Sequence, residues 1–199
     1  PLSFLLVGWH NLRQPTSRKE RGMAHTATSS PETTANDVIN TLAGIAPDSA
    51  LAAIRALRPD VVRHTQGSYD ALLAPAEPVG LTLAERAKVA LRVARLEGNA
   101  TLADHYRHQL TQLGVHGETI AGVEQFPAGP TLEPRVAAIL HHVDRLTNEP
   151  GSATQAHLAA LQAHGLCVRE IVTLSQLIAF LSYQVRLLVT VTALGEENP

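Results

Sequence analysis

Four polar side chains in one stretch of the chain are of types that transfer protons. Glu85 precedes His105, Tyr106 and His108, and the two histidines are three residues apart. Residues three apart on a helix project from neighbouring positions, and an imidazole titrates close to neutral pH. The pattern would allow general acid/base use of His105 with Glu85. The alternatives are that both histidines lie on or near a helix surface and that Glu85 only caps a helix.

A second group of histidines would suit a different chemistry. His141 and His142 are adjacent, Asp144 follows them, and His157 lies further along the chain. Histidine pairs on packed helices can form a zinc or iron site. Neither histidine pair has the ExxH or HExxH spacing of helices that bind such metals. We therefore expect no metal and no other cofactor.

The composition narrows the classes of protein to consider. The 199 residues include 16 Lys and Arg, 18 Asp and Glu and ten His, with a formal charge of −2 at pH 7. Hydrophobic residues make up 45% and charged residues 17%, which suits a folded domain rather than a disordered chain. The balanced charge, without a basic block, argues against a nucleic-acid partner. The single cysteine, Cys167, excludes an internal disulfide and any CxxC motif.

Residues 1–35 are predicted to be a leader and a flexible segment. Met23 opens a run typical of a bacterial amino terminus, so residues 1–22 are interpreted as translated leader or an over-extended start. The apolar opening is too short to span a bilayer and lacks the features of a secretory signal. We expect a cytoplasmic protein with no membrane partner and a folded domain over residues 36–195.

Helix signals recur along that domain and predict an all-α fold, because no apolar–polar alternation is long enough for a half-buried strand. The final helix, over about 168–194, is nearly apolar all round from Leu174 to Val191. We expect it to be buried in the core or in a subunit interface, with Arg186 paired to an acidic side chain or an anionic ligand. N-caps are predicted at five points: Asn36 or Asp37, Asp48 or Ser49, Thr82 with Glu85 in a capping box, Thr101, and Thr154.

An internal sequence repeat divides the domain into two units. Gly114 and Gly165 are 51 residues apart, and each follows a predicted helix. At the same offset, apolar residues pair as Leu110 with Leu161, Ile120 with Ile171, and Val123 with Leu174. The pattern predicts a helix–helix–Gly–helix unit used twice. The alternative is that helical proteins share capping residues by chance.

Two long stretches resemble a known family. Residues 81–120, LTLAERAKVALRVARLEGNATLADHYRHQLTQLGVHGETI, resemble the core of the AhpD-like, carboxymuconolactone decarboxylase superfamily. Residues 132–188 resemble the carboxy-terminal half of its peroxidase-related members. The resemblance covers about residues 36–190. It implies an AhpD-like helical bundle that forms homo-oligomers through its helices.

The resemblance also implies where the chemistry of thiol-using members would lie. There, a Gly-Cys-x-x-Cys-x-x-x-His turn supplies two cysteines for peroxidase or disulfide reductase activity, and a Glu and a His relay protons. The two cysteine positions fall here on Asn99 and Leu102, the histidine position on Tyr106, and the glutamate position on Ala87, near Glu85. Asn and Leu cannot form the thiolate that attacks a peroxide. Thiol peroxidase chemistry at this site is therefore excluded unless a partner brings the cysteines.

Three functions remain open. The favoured one is a thiol-independent acid/base or binding role on a small organic molecule, with His105 as acid or base and Tyr106, His108 and Glu85 assisting. It fits the decarboxylase branch of the superfamily, which the resemblance implies acts on a lactone acid without a cysteine pair. The alternative is a non-catalytic oligomeric interaction or scaffold subunit. The third is antioxidant function through Cys167, which we expect to be inert because the chain holds no resolving cysteine.

Overall fold

The computed structural model describes residues 37–196, except for the side chain of Glu196, and this part is helical without a strand. The all-α prediction is confirmed. The expectations for residues 1–36 lie outside the described residues. The α-helices of the described part are α1 (Val38–Ala43), α2 (Ala50–Ala56), α3 (Pro59–Leu72), α4 (Leu83–Leu96), α5 (Ala100–Gln112), α6 (Gly117–Glu124), α7 (Pro134–Asn148), α8 (Gln155–Ala163) and α9 (Val168–Glu196), with a 3-10 turn at Pro150–Ser152.

Side-chain caps fix where several helices begin. Asp37 accepts from the backbone of the first turn of α1, and Ser49 does the same for α2. At α4, the Thr82 hydroxyl accepts from the backbone N–H of Glu85 at 3.1 Å, while Glu85 Oε2 accepts from the backbone N–H of Thr82 at 2.8 Å. This is the reciprocal capping box that the sequence predicts.

One predicted cap is wrong. Asn99, and not Thr101, caps α5, which begins at Ala100. The Asn99 side-chain oxygen accepts from the backbone N–H of Leu102 at 2.9 Å. Asparagine and threonine are both good N-caps, so two candidates this close together cannot be separated by residue type alone.

Helix α4 is the centre of the bundle and packs against α5, α6, α7 and α9. Two of its arginines are buried, and both have partners. Arg86 donates to the backbone carbonyls of Leu72, at the end of α3, and of Leu81. Arg92 makes a bidentate pair with Asp144 of α7 at 2.6 and 2.8 Å. Its apolar core residues are at most 3% exposed: Ala87, Val89, Ala90, Leu91, Val93 and Ala94.

Helix α9 differs from its prediction. One face is buried in the core through Leu174, Leu177 and Leu181, but Arg186 is exposed and Val189 is 55% exposed. Within one chain, α9 is therefore buried on one face and Arg186 lies outside the core, while burial of the other face in a subunit interface stays a prediction. Among residues 37–196, Val168–Gly195 is a segment long and apolar enough to cross a membrane, a property that core helices of soluble proteins share.

The two predicted units match in backbone detail. Gly114 and Gly165 have φ of 74° and 84°, where glycine avoids the strain of a Cβ atom. Each glycine N–H donates three residues back, at 3.0 and 2.9 Å, and the next residue's N–H donates to Leu110 in one unit and to Leu161 in the other. The apolar pairs predicted at this offset are all at most 7% exposed. The repeat thus extends from residue types to hydrogen bonds and burial.

Candidate functional site

The start of α5 is occupied by structural side chains. Asn99 caps the helix, as described above, and Leu102 is completely buried in the hydrophobic core. These are the two positions at which the family resemblance places cysteines. In this chain Asn99 caps the start of α5 and Leu102 fills the core, and neither side chain can form a thiolate.

Tyr106, one turn further along α5, is also completely buried. Its hydroxyl donates to Gln184 Oε1 of α9 at 2.6 Å. Burial raises the pKa of Tyr106 well above its ordinary value of 10.0. The phenol therefore stays protonated and joins α5 to α9, which suits a positioning role better than proton transfer.

His105 has the environment of a proton acceptor. It is partly buried, and its Nε2 lies 3.4 Å from the Tyr69 hydroxyl of α3, which also accepts from Gln109 Nε2 at 3.3 Å. Burial, and secondarily the nearby His108, lower the pKa of His105 below 6.5. A neutral imidazole at pH 7 can accept a proton. Tyr69 and Gln109 were missed as site residues, because Tyr69 is 36 positions from His105 and nothing in the sequence links them.

The other two predicted residues, His108 and Glu85, contact side chains other than His105. His108 is exposed on α5 and its Nε2 lies 2.9 Å from Gln112 Nε2. Glu85 is held by Thr82 in the capping box and by Arg135 of α7, whose Nε donates to Glu85 Oε1 at 2.8 Å. Within the described residues, no hydrogen bond joins Glu85 to His105.

Arg135 extends this contact into a three-helix cluster. A second nitrogen of its guanidinium donates to Glu170 Oε1 of α9 at 2.8 Å. The other oxygen of Glu170 accepts from the backbone N–H of Cys167 at 2.6 Å. Mainly because of that backbone hydrogen bond, and also because of Arg135, the pKa of Glu170 is lowered. Glu85 is thus part of an ion-pair cluster that joins α4, α7 and α9.

A cavity of about 160 Å³ opens beside the His105 cluster. Leu73, Leu83 and Leu113 supply apolar walls, and Gln109 and Gln112 supply amides. The cavity does not touch His105 directly. Gln109 connects them, since it lines the cavity and donates to the Tyr69 hydroxyl that faces His105.

The remaining candidates offer no preformed redox or metal centre. Cys167 is exposed directly before α9, and no other cysteine exists in the chain. Among residues 37–196, no group of three or more His, Cys, Asp or Glu side chains is arranged to hold a metal ion.

Three solved structures are similar to this chain. An uncharacterised peroxidase-related protein with an alkylhydroperoxidase AhpD core, from Ralstonia eutropha, has a TM-score of 0.62 at 20% identity, over 69% of this chain and 71% of that one. An Agrobacterium tumefaciens protein of unknown function, described as a candidate AhpD for antioxidant defence, has a TM-score of 0.60 at 20% identity, over 69% of this chain and 91% of that one. A peroxidase-related protein from Silicibacter sp. TM1040 has a TM-score of 0.58 at 18% identity, over 71% of this chain and 73% of that one.

No family model and no curated protein matches the sequence. The structural similarity at this level of identity is evidence of fold. The chain therefore has the AhpD-like all-α fold of these peroxidase-related proteins.

Proposed function

We propose that this protein is a thiol-independent member of the AhpD-like, carboxymuconolactone decarboxylase superfamily that binds a small organic molecule beside α3 and α5. The observation that carries the proposal is the hydrogen-bonded series His105–Tyr69–Gln109 next to an apolar cavity, at a helix whose cysteine positions are Asn99 and Leu102. We place the protein in the cytoplasm.

His105 acts on the bound molecule through its neighbours, because it does not line the cavity. At pH 7 the neutral imidazole holds the Tyr69 hydroxyl, Tyr69 holds the Gln109 amide, and Gln109 contacts the ligand from the cavity wall. Tyr106 and Glu85 hold α5 and α4 in place through Gln184 and Arg135.

The test is a binding experiment on His105 with a matched control. Nuclear magnetic resonance titrations with lactones, cyclic ketones and enols of up to about ten non-hydrogen atoms should produce saturable shifts at α3 and α5. We expect His105→Gln to weaken binding at least tenfold and His108→Gln, an exposed histidine on the same helix, to leave it within twofold. Equal affinity of wild type and His105→Gln, or no saturable shift at α3 and α5, would contradict the proposal.

A non-catalytic, oligomeric interaction subunit is the second candidate. It is favoured by the exposed apolar side chains of α9, with Val168 at 65%, Val172 at 52% and Val189 at 55% exposure. Such side chains suit a contact with a second copy of the chain. In that case the titrations above find no ligand at α5, while sedimentation shows a stable oligomer.

A further inference from the structure

A separate cavity lies between α7 and α8, in the second unit of the repeat. Its volume is about 210 Å³. Imidazoles of His141 and His142 from α7 and of His157 and His164 from α8 line it, together with the guanidinium of Arg145. These helices correspond, in the repeat, to α4 and α5 of the first unit. The cavity shares no residue with the proposed His105 site, so the two stand independently.

His142 is the most unusual of these side chains. It is 4% exposed, and neither of its ring nitrogens has a hydrogen-bond partner in the described chain. Burial, followed by the charges of Arg145 and His157, lowers the pKa of His142 below 6.5. A neutral imidazole carries one donor and one acceptor, and leaving both unpaired in the interior costs free energy. The ring is therefore able to bind a polar group brought into the cavity.

The charge of the cavity is positive. No carboxylate of the described residues pairs with Arg145, whose side chain has only a 3.4 Å contact with the hydroxyl of Ser152. Asp144, next to it in sequence, is already paired with Arg92. His157 accepts from the backbone N–H of Thr154 through Nδ1 at 3.1 Å, so its Nε2 carries a proton to donate.

These features favour an anion over a metal ion. The Nδ1 atoms of His157 and His164 both bond to the backbone, and no three of the cavity's histidines are arranged for a metal. A fixed guanidinium beside them repels a cation. It suits a carboxylate, which it can bind with two parallel hydrogen bonds.

The rest of the lining selects among anions. Ala138, Ala160 and Leu161 give the cavity an apolar wall. An inorganic phosphate would leave that wall without a partner, whereas the alkyl part of an organic acid would cover it. The volume is below the range of about 300–1,000 Å³ that is usual for drug-sized ligands, so the ligand is small.

We propose that the α7–α8 cavity binds a small aliphatic carboxylate, with the carboxylate on Arg145, His142 and His157 and the alkyl chain against Ala138, Ala160 and Leu161. The carboxylate accepts from Arg145 and from the Nε2–H of His157. It also accepts from the ring N–H of His142, which supplies the buried imidazole with a partner.

The test is a calorimetric and magnetic-resonance titration of the full chain with sodium salts from acetate to hexanoate. We expect saturable binding with shifts at α7 and α8, tightest for one of the middle members. Butyramide, the neutral counterpart of butyrate, should bind at least tenfold more weakly, as should inorganic phosphate. Arg145→Gln and His142→Leu should each weaken butyrate binding at least tenfold, while Arg169→Gln, which alters an exposed arginine on α9, should not.

Circular dichroism and melting temperature separate binding from folding in these variants. His142→Leu should be at least as stable as wild type, because it removes the unpaired buried imidazole. The proposal is overturned if no carboxylate in the series binds at α7 and α8. It is also overturned if phosphate or butyramide binds as tightly as butyrate, or if folded Arg145→Gln binds like wild type.

Discussion

Leu102→Ala should lower the free energy of unfolding by about 2–5 kcal/mol, since it deletes a completely buried side chain at the start of α5. Leu102 belongs to the same core cluster as Tyr106 and the buried residues of α4, and a cavity there removes contacts from both helices. Urea unfolding followed by circular dichroism measures the change.

Substitutions of Asn99, the N-cap of α5, provide the matched comparison for Leu102→Ala. Asn99→Ala should cost about 1 kcal/mol, because the Leu102 backbone N–H loses its acceptor, and Asn99→Ser should be close to neutral because serine is also a good N-cap. The prediction is contradicted if the free energy of unfolding of Leu102→Ala is within about 0.5 kcal/mol of wild type. Such a loss is far below the usual cost of truncating a buried leucine, so Leu102 would then not be a core residue.

The second large effect is expected for Arg135→Met. The substitution leaves Glu85 and Glu170, with side chains only 11% and 13% exposed, without the guanidinium that joins them. Breaking a buried ion pair costs about 3–5 kcal/mol, and the 29% exposure of Arg135 reduces this to about 2–4 kcal/mol at pH 7. Thermal and urea unfolding at a series of pH values measure it.

The pH dependence gives this prediction a second readout. A carboxyl whose pKa is lowered by folding adds stability above its unfolded value, here 4.5 for Glu170, and loses that contribution as the pH falls through the folded value. Because the Cys167 backbone N–H, the main cause of the lowered pKa, remains in Arg135→Met, the difference between wild type and the variant should be complete at pH 7 and shrink only in part below pH 4.5. Arg63→Met is the control, because the Arg63–Asp60 pair is 59% and 80% exposed and contributes little. Equal losses for Arg135→Met and Arg63→Met would contradict the cluster.

Local signals in the sequence predict most of the helical architecture. Capping residues such as Ser49 and the Thr82–Glu85 box mark helix starts because each satisfies backbone N–H groups within a few residues of itself. Gly114 and Gly165 mark helix ends for an equally local reason. The family resemblance then supplies the arrangement of the helices, which the structural neighbours support.

The sequence is less informative wherever the partner is distant. The Tyr69–His105 contact joins α3 to α5, and Arg135 meets its two glutamates 50 and 35 positions away. No periodicity reports such pairs. The same limit applies to Arg186, which is exposed within the single chain. Its helix has apolar residues on every side and was expected to be buried. How much of a helix is buried depends on how many other helices surround it, and the sequence does not give that number.

The assignment of site residues changes accordingly. His105 stays a proposed site residue, as one that positions Tyr69, and Tyr69 and Gln109 are added beside it. Tyr106 and Glu85 have partners that explain them as links between helices. The capping interpretation of Glu85, one of the alternatives that the sequence left open, describes its contacts in this structure.

The central claim is that this AhpD-like fold works without thiol chemistry, and hydroperoxide consumption tests it most directly. Purified wild type and Cys167→Ser would be assayed with hydrogen peroxide or cumene hydroperoxide and dithiothreitol, beside a thiol-using AhpD-like protein as positive control. The account predicts that both proteins consume peroxide no faster than buffer with dithiothreitol alone. Peroxide turnover by wild type clearly above that background would contradict it, and its loss or survival in Cys167→Ser would show whether the lone thiol is responsible.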